Sequence, residues 1–180
     1  ENWRVADLSG MRDQFTNPRN GLDFGYAADP AALWVSHYDK KRKKIYIYDE
    51  LYETGLLNDT LAEKIRDKIG QQRVICDSAD PKSIAEIKRY GVNAYGAKKG
   101  QGSILHGVQW LQQHEIIIDK RCVNTIAEFS GYKWKEDRDG IPVSPPTPID
   151  RGNHIIDAGR YATEEDAIMR RSGFVEVRGR

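Results

Sequence analysis

Three apolar stretches follow one another near the start of this chain, Gly21 to Tyr26, Ala32 to Tyr38 and Ile45 to Glu53, each bounded by turn or charged residues. Runs of that length and pattern read as three successive antiparallel strands, and whatever follows must build onto their sheet. The run Lys40-Lys41-Arg42-Lys43-Lys44 separates the second from the third. A solvated hairpin turn keeps all of that charge in water, the alternative being a place near nucleic-acid phosphates.

Beyond the third stretch the period changes. Asn58 or Asp59 caps a helix through Ile69, in which Leu61, Ile65 and Ile69 recur every four residues and Gly70 ends the run. Arg73 to Cys76 reads as a buried strand, and Pro81 starts a helix through Tyr90 with Ile84 and Ile87 on one face. The alternation continues with a strand at Asn93 to Tyr95, a helix at Ser103 to Gln113, a strand at Glu115 to Asp119 and a helix at Val123 to Lys133. Tyr132 to Pro145 alternates around Asp139-Gly140, a dipeptide suited to a tight hairpin turn, and Pro145, Pro146 and Pro148 stiffen an extended connector. A last helix runs from about Asn153 to Arg170, packing through Ile155, Ile156, Gly159 and Ala162. Antiparallel strands followed by alternating elements predict an α/β fold, a mixed sheet flanked by helices, with an additional β-hairpin before the C-terminal helix.

A length of 180 residues with 39% apolar and 31% charged side chains suits one globular domain over 1–180, with its core at about 20–170. No apolar run approaches the roughly 20 residues that cross a bilayer, and the N-terminus has no signal-peptide pattern. Cys76 and Cys122 are far apart without a Cys or His at zinc-ligand spacing, so both are expected to be free thiols. A formal charge of +1 predicts modest DNA affinity for the domain alone. The chain begins at Glu1, and is expected to be a fragment of a longer protein.

Three aspartates stand out by their surroundings. Asp23 sits inside Gly-Leu-Asp-Phe-Gly, where a carboxylate between apolar neighbours needs compensation, and Gly21 and Gly25 leave room for an approaching backbone. Asp77 ends the strand Val74-Ile75-Cys76, where open α/β sheets carry their sites. Asp80 directly precedes Pro81 and is the better helix cap, which leaves Asp77 for another role. Asp157 shares a helix face with His154 three residues earlier, and Ala158 and Gly159 beside it let the helix press against a sheet. A solvated Asp23, a capping Asp77 and a packing or capping His154 are the structural alternatives. Carboxylates without thiols favour Mg²⁺ or Mn²⁺ over zinc.

The ordered segments Gly21-Leu-Asp-Phe-Gly-Tyr-Ala-Ala-Asp-Pro30, Ile75-Cys-Asp-Ser-Ala-Asp-Pro81 and Asn153-His-Ile-Ile-Asp-Ala-Gly-Arg-Tyr-Ala162 resemble the C-terminal nuclease domain of large terminase subunits of tailed bacteriophages. The resemblance covers approximately Asn20 to Thr163 and implies a ribonuclease H-like fold. It implies a metal-dependent endonuclease that cuts concatemeric viral double-stranded DNA during packaging, in the host cytoplasm at the viral procapsid. Asp23, Asp77 and Asp157 match the metal ligands of a two-metal Mg²⁺ or Mn²⁺ site, with His154 a further catalytic residue beside the last. Trp134 to Pro145 matches a hairpin next to the active site. Many relatives are acidic where Gly152 stands, and Asp150 is a possible substitute.

Implied partners are the terminase ATPase domain, the small terminase subunit and the portal protein, with no membrane. The ATPase is expected outside this chain, since Gly96 to Ser103 lacks the Gly-Lys-Ser/Thr ending of a phosphate-binding loop. Lys98 and Lys99 in that loop, with Lys133 and Lys135 by the hairpin, are candidate DNA contacts. A junction resolvase or transposase on the same scaffold, or a non-catalytic DNA-binding or motor-docking module, are the alternatives.

Overall fold

A computed structural model of the chain describes residues 2–25, 28–98, 100, 102–141, 143–144, 147 and 152–172, with side chains described as far as Ile168. Its strands are β1 (Trp3–Ala6), β2 (Pro18–Asp23), β3 (Ala31–Asp39), β4 (Lys44–Glu53), β5 (Val74–Cys76), β6 (Ala94–Gly96) and β7 (Glu115–Asp119). The helices are α1 (Asn58–Ile69), α2 (Pro81–Arg89), α3 (Ser103–Gln112), α4 (Val123–Gly131) and α5 (His154–Ser172), with a 3-10 helix at Ser9–Gln14. One seven-stranded sheet joins them in the order β1-β7-β4-β3-β2-β5-β6. The pairs β2/β3 and β3/β4 are antiparallel and the other four are parallel, so the expected mixed sheet is present.

Side-chain alternation along the strands sorts the core into two layers. Leu22, Leu33, Val35, Val74 and Cys76 pack against Leu61, Ile65 and Ile69 of α1 and Ile87 of α2. On the other face Ala32, Trp34, Ile45 and Ile47 meet Trp110 of α3 and Ile155, Ile156 and Ala158 of α5, with Phe129 of α4 beside them. Cys76 and Cys122 are separate buried thiols, and no helix among the described residues is long and apolar enough to cross a membrane.

Strand β1 was not foreseen. It is a four-residue edge strand, too short to show a period, and pairs with β7 more than a hundred residues later, from Trp3↔Ile116 to Ala6↔Asp119. The cap of α1 also differs: Leu57 occupies the cap position without a side-chain bond, while the Asn58 amide reaches across to Ser83 Oγ (3.1 Å) and Glu86 Oε2 (2.9 Å) on α2. Asp80 caps α2 as expected, accepting the Ser83 N–H at 3.0 Å. Helix α4 stops at Gly131, which leaves Lys133 outside it. The hairpin is a compact turn: Asp137 N–H donates to Ile141 O (2.8 Å), Val143 N–H to Lys135 O (2.9 Å), and Gly140 supplies φ +76°. The basic run does turn between β3 and β4, but its ends are paired, Lys40 with Asp166 at 2.8 Å and Lys44 with Glu115 at 2.7 Å.

Two carboxylates lock helix starts on the α5 side of the sheet. Glu50 of β4 accepts the N–H groups of Asn124 (3.0 Å) and Thr125 (2.8 Å) in the first turn of α4. Glu128 of α4 in turn accepts those of Ile155 (2.9 Å) and Ile156 (3.2 Å) at the start of α5, and the Tyr52 hydroxyl at 2.9 Å. Burial pushes the Glu128 carboxyl above its ordinary pKa, against the pull of these donors. Replacing Glu128 by Ala strands three donors and is expected to destabilise the fold by about 3 kcal/mol. Replacement by Gln, which keeps an acceptor oxygen, should recover more than half of that in urea unfolding; equal losses for both variants would contradict the capping role.

Candidate metal centre

The site grows from the register of two neighbouring strands. Gly21 pairs with Ile75 and Leu22 with Cys76 in a parallel ladder that closes with Asp77 N–H donating to Leu22 O at 3.0 Å. Asp23, the last residue of β2, and Asp77, the first after β5, therefore leave adjacent parallel strands at the same level, roughly 5 Å apart by strand spacing. Leu22 and Cys76 fill the α1/α2 layer, so alternation turns both carboxylates to the α5 side.

Helix α5 is brought down on them by two glycines. A Cβ on Gly21 would overlap the carbonyl of Ala158, and one on Gly159 would come within 2.6 Å of the Trp34 ring. At that approach His154 Nδ1 lies 3.1 Å from Asp23 Oδ2, and its Nε2 is 3.8 Å from Asp29 Oδ1. With Asp23 ionised, the imidazole bridges the first gap only when Nδ1 carries a proton.

Asp157, one turn further on, is held at Oδ1 by Arg160 (Nε 3.0 Å, Nη2 2.8 Å) and at Oδ2 by the Asn153 amide at 3.2 Å. Asp77 Oδ1 accepts the Ala79 N–H at 2.8 Å and its Oδ2 the Tyr161 hydroxyl at 3.3 Å. Tyr52 of β4 flanks the group, its ring 6.3 Å from that of His154.

The electrostatics join what the contacts leave separate. Asp23 is raised from 3.8 to about 6, by burial first and then by the charges of Asp157 and Asp77, while the hydrogen bond and charge of His154 oppose the rise. Asp157 and Asp77 thus both oppose the charge of a partly desolvated Asp23, a pattern that a divalent cation neutralises. Among the described residues, no three His, Cys, Asp or Glu side chains already close on a common point. Asp157 and Asp77 are instead held by Arg160, Asn153, Ala79 and Tyr161. The donor set is all oxygen and imidazole, which fits Mg²⁺ or Mn²⁺ and excludes a thiolate site.

Of the predicted lysines, Lys98, Lys133 and Lys135 are among the described residues. Lys98 donates its backbone N–H to both oxygens of Glu164 at 2.8 Å, and its Nζ lies 4.0 Å from Glu165. Lys99, Asp150 and the connector prolines Pro145, Pro146 and Pro148 lie outside the described residues. Lys133 lines a separate cavity with Asn2, Trp3 and Phe129, and exposed Lys135 gives its N–H to Thr147 O at 2.7 Å in the hairpin. Arg160, Tyr161, Glu128 and Tyr52 were not singled out in the sequence. Only Arg160 had a usable signal, its i,i+3 spacing from Asp157.

A family model for the terminase RNAseH like domain matches residues 23–165. The chain is 41% identical over 165 residues to the terminase large subunit of Bacillus phage SPP1, covering 89% of this chain and 38% of that protein. It is 32% identical over 149 residues to the PBSX phage terminase large subunit of Bacillus subtilis strain 168, covering 82% and 34%. The chain therefore spans less than half the length of these relatives. The crystal structure of the SPP1 large terminase nuclease domain with bound Mn is similar at a TM-score of 0.85 and 37% identity, covering 92% of this chain and 97% of that chain.

Proposed function

Because this chain belongs to the terminase RNase H-like domain family, we propose that it is a metal-dependent endodeoxyribonuclease cutting concatemeric viral double-stranded DNA during genome packaging. The observation that carries this reading is the repulsive carboxylate group at the ends of β2 and β5 under α5, with Asp23 raised to about 6. Mn bound to the SPP1 nuclease domain supports the same ion class for this chain. In this reading the protein works in the host bacterial cytoplasm at the viral procapsid, with the packaging ATPase domain, the small terminase subunit and the portal protein as partners.

Asp23, Asp77 and Asp157 would hold Mg²⁺ or Mn²⁺ in a two-metal site. When bound, such ions supply a water that ionises near neutral pH and stabilise charge on the leaving 3′ oxygen. The chain's own residues set the frame for that chemistry. The parallel pair β2/β5 fixes two carboxylates side by side, α5 adds the third, and Glu128 anchors the first turn of α5. His154, in the first turn of α5, braces Asp23 through its Nδ1 at 3.1 Å.

Supercoiled plasmid incubated with Mn²⁺, Mg²⁺ or EDTA tests the reading. Cutting with Mn²⁺ and none with EDTA is expected; cutting in EDTA, or none with either ion, would overturn it. A four-way junction cut in strong preference to linear duplex would favour a resolvase instead.

The pH dependence has a definite sign. A carboxyl raised to about 6 takes up a proton below that pH, and the proton competes with metal. At subsaturating Mn²⁺, cleavage should fall as pH drops through about 6, by roughly tenfold for each unit below it. Raising Mn²⁺ should move the midpoint to lower pH. A midpoint that ignores Mn²⁺ concentration would separate the titration from metal binding.

A further inference from the structure

Two consecutive residues of α5 reach two different carboxylates. We propose that Arg160 and Tyr161 are positioning residues of the metal centre, Arg160 orienting Asp157 and Tyr161 orienting Asp77, so that both carboxylates are held in fixed orientations for the metal. The proposal rests on the metal-centre reading and adds to it residues that would not touch the ion.

The Arg160 side chain is only 6% exposed, and it places two donors, Nε at 3.0 Å and Nη2 at 2.8 Å, on the same oxygen of Asp157. Its stem lies in a groove that α3 opens with Gly107, where an added Cβ would come 3.1–3.4 Å from the Cδ, Cγ and Cβ of Arg160. The guanidinium carbon stands 5.3 Å from the centre of the Tyr161 ring. Tyr161 packs its ring with Ile75 and Ala97 and donates its hydroxyl to Asp77 Oδ2 at 3.3 Å, while Ala79 N–H fixes the other oxygen at 2.8 Å. Each carboxylate is thus gripped by donors that arrive from fixed directions, which is how ligand orientation is held around metals generally.

Charge and position make opposite predictions for Arg160. Considered only as a positive charge beside Asp157, Arg160 repels a cation, and its removal should tighten metal binding. Considered as the clamp on Asp157, its removal should weaken binding.

The test measures Mn²⁺ affinity from the EPR signal of free Mn²⁺ in the parent, Arg160→Gln, Arg160→Lys, Tyr161→Phe and Asp23→Asn. Metal-free thermal melts are recorded alongside. Affinity is expected to fall about tenfold or more in Arg160→Gln and less in Arg160→Lys. Tyr161→Phe keeps the ring and the packing, and should weaken Mn²⁺ binding several-fold at an unchanged melting temperature. In cleavage assays the Mn²⁺ concentration needed for half-maximal rate should rise more than the saturated rate falls. Parent-like or tighter Mn²⁺ binding by Arg160→Gln and Tyr161→Phe, with Asp23→Asn impaired, would overturn the inference and leave the metal centre standing. A parent that binds no Mn²⁺ would overturn both.

Discussion

Asp23→Asn will abolish Mn²⁺-dependent cleavage and at the same time make the metal-free protein more stable. On the catalytic side, removing a ligand charge that several kcal/mol of metal stabilisation depend on should lower the rate by about a thousandfold or more. On the stability side the sign follows from linkage. Asp23 is raised from 3.8 to about 6, so the folded state binds the proton more tightly than the unfolded chain. Its contribution to stability is fully present below the unfolded value and is lost as pH rises through about 6. Above that, the ionised carboxylate opposes folding, by a difference on the order of 1–3 kcal/mol. Asparagine removes the charge, so in EDTA at about pH 8 the variant should melt several degrees above the parent, the gap closing toward about pH 4. Plasmid cleavage and paired melts read both effects. Cleavage retained within about tenfold of the parent would remove Asp23 from the chemistry, and a variant less stable than the parent would contradict the electrostatic account.

The second large effect concerns a glycine with no chemistry of its own. A methyl group at Gly21 would overlap the backbone carbonyl of Ala158, and backbone cannot swing aside as the end of a side chain does. Gly21→Ala must separate β2 from α5 or bend one of them, at about 3 kcal/mol or more. For a domain of this size that lowers the melting temperature by roughly 6–12 °C. It should also remove Mn²⁺ binding in the molecules that remain folded, because Asp23 lies two residues along the same strand. Gly10→Ala is the control: nothing lies within 4 Å of its added Cβ, and it should melt within about 2 °C of the parent. A Gly21→Ala protein as stable as Gly10→Ala would show that the seam has slack.

Much of this architecture is legible in the residues themselves, because it depends on period and on size. The three opening strands, the four-residue repeat of Leu61, Ile65 and Ile69, and the small residues Gly21, Ala158 and Gly159 at the seam all follow from local pattern. Local pattern also separates Asp77 from the cap role that Asp80 fills. It does not supply partners distant in the chain. Tyr52 and Glu128 meet across 76 residues, and Tyr161 and Asp77 across 84. Asn58 reads as a helix cap because Asn favours caps, but its side-chain N–H groups donate to Ser83 and Glu86 of a neighbouring helix and hold the amide there. The basic appearance of Lys98 likewise gives no hint of Glu164 and Glu165, which the fold sets against it. The proposal that the three aspartates form one site rests on their ordered resemblance to a family, and the register of β2 on β5 and the descent of α5 support it.

The two glycine notches at the seam of α5 with the sheet behave as a detent. With Ala158 seated over Gly21 and Gly159 over Trp34, the helix has one resting position, and a slide of one residue puts side chains where there is no space for them. Damage to α5 that spares both the notches and the side chains holding the aspartates should therefore change how many molecules are seated rather than how far apart the carboxylates stand in a seated one. In a partly impaired preparation, single-turnover cleavage would lose amplitude while keeping its rate constant. Metal titrations would then count fewer sites of undiminished affinity.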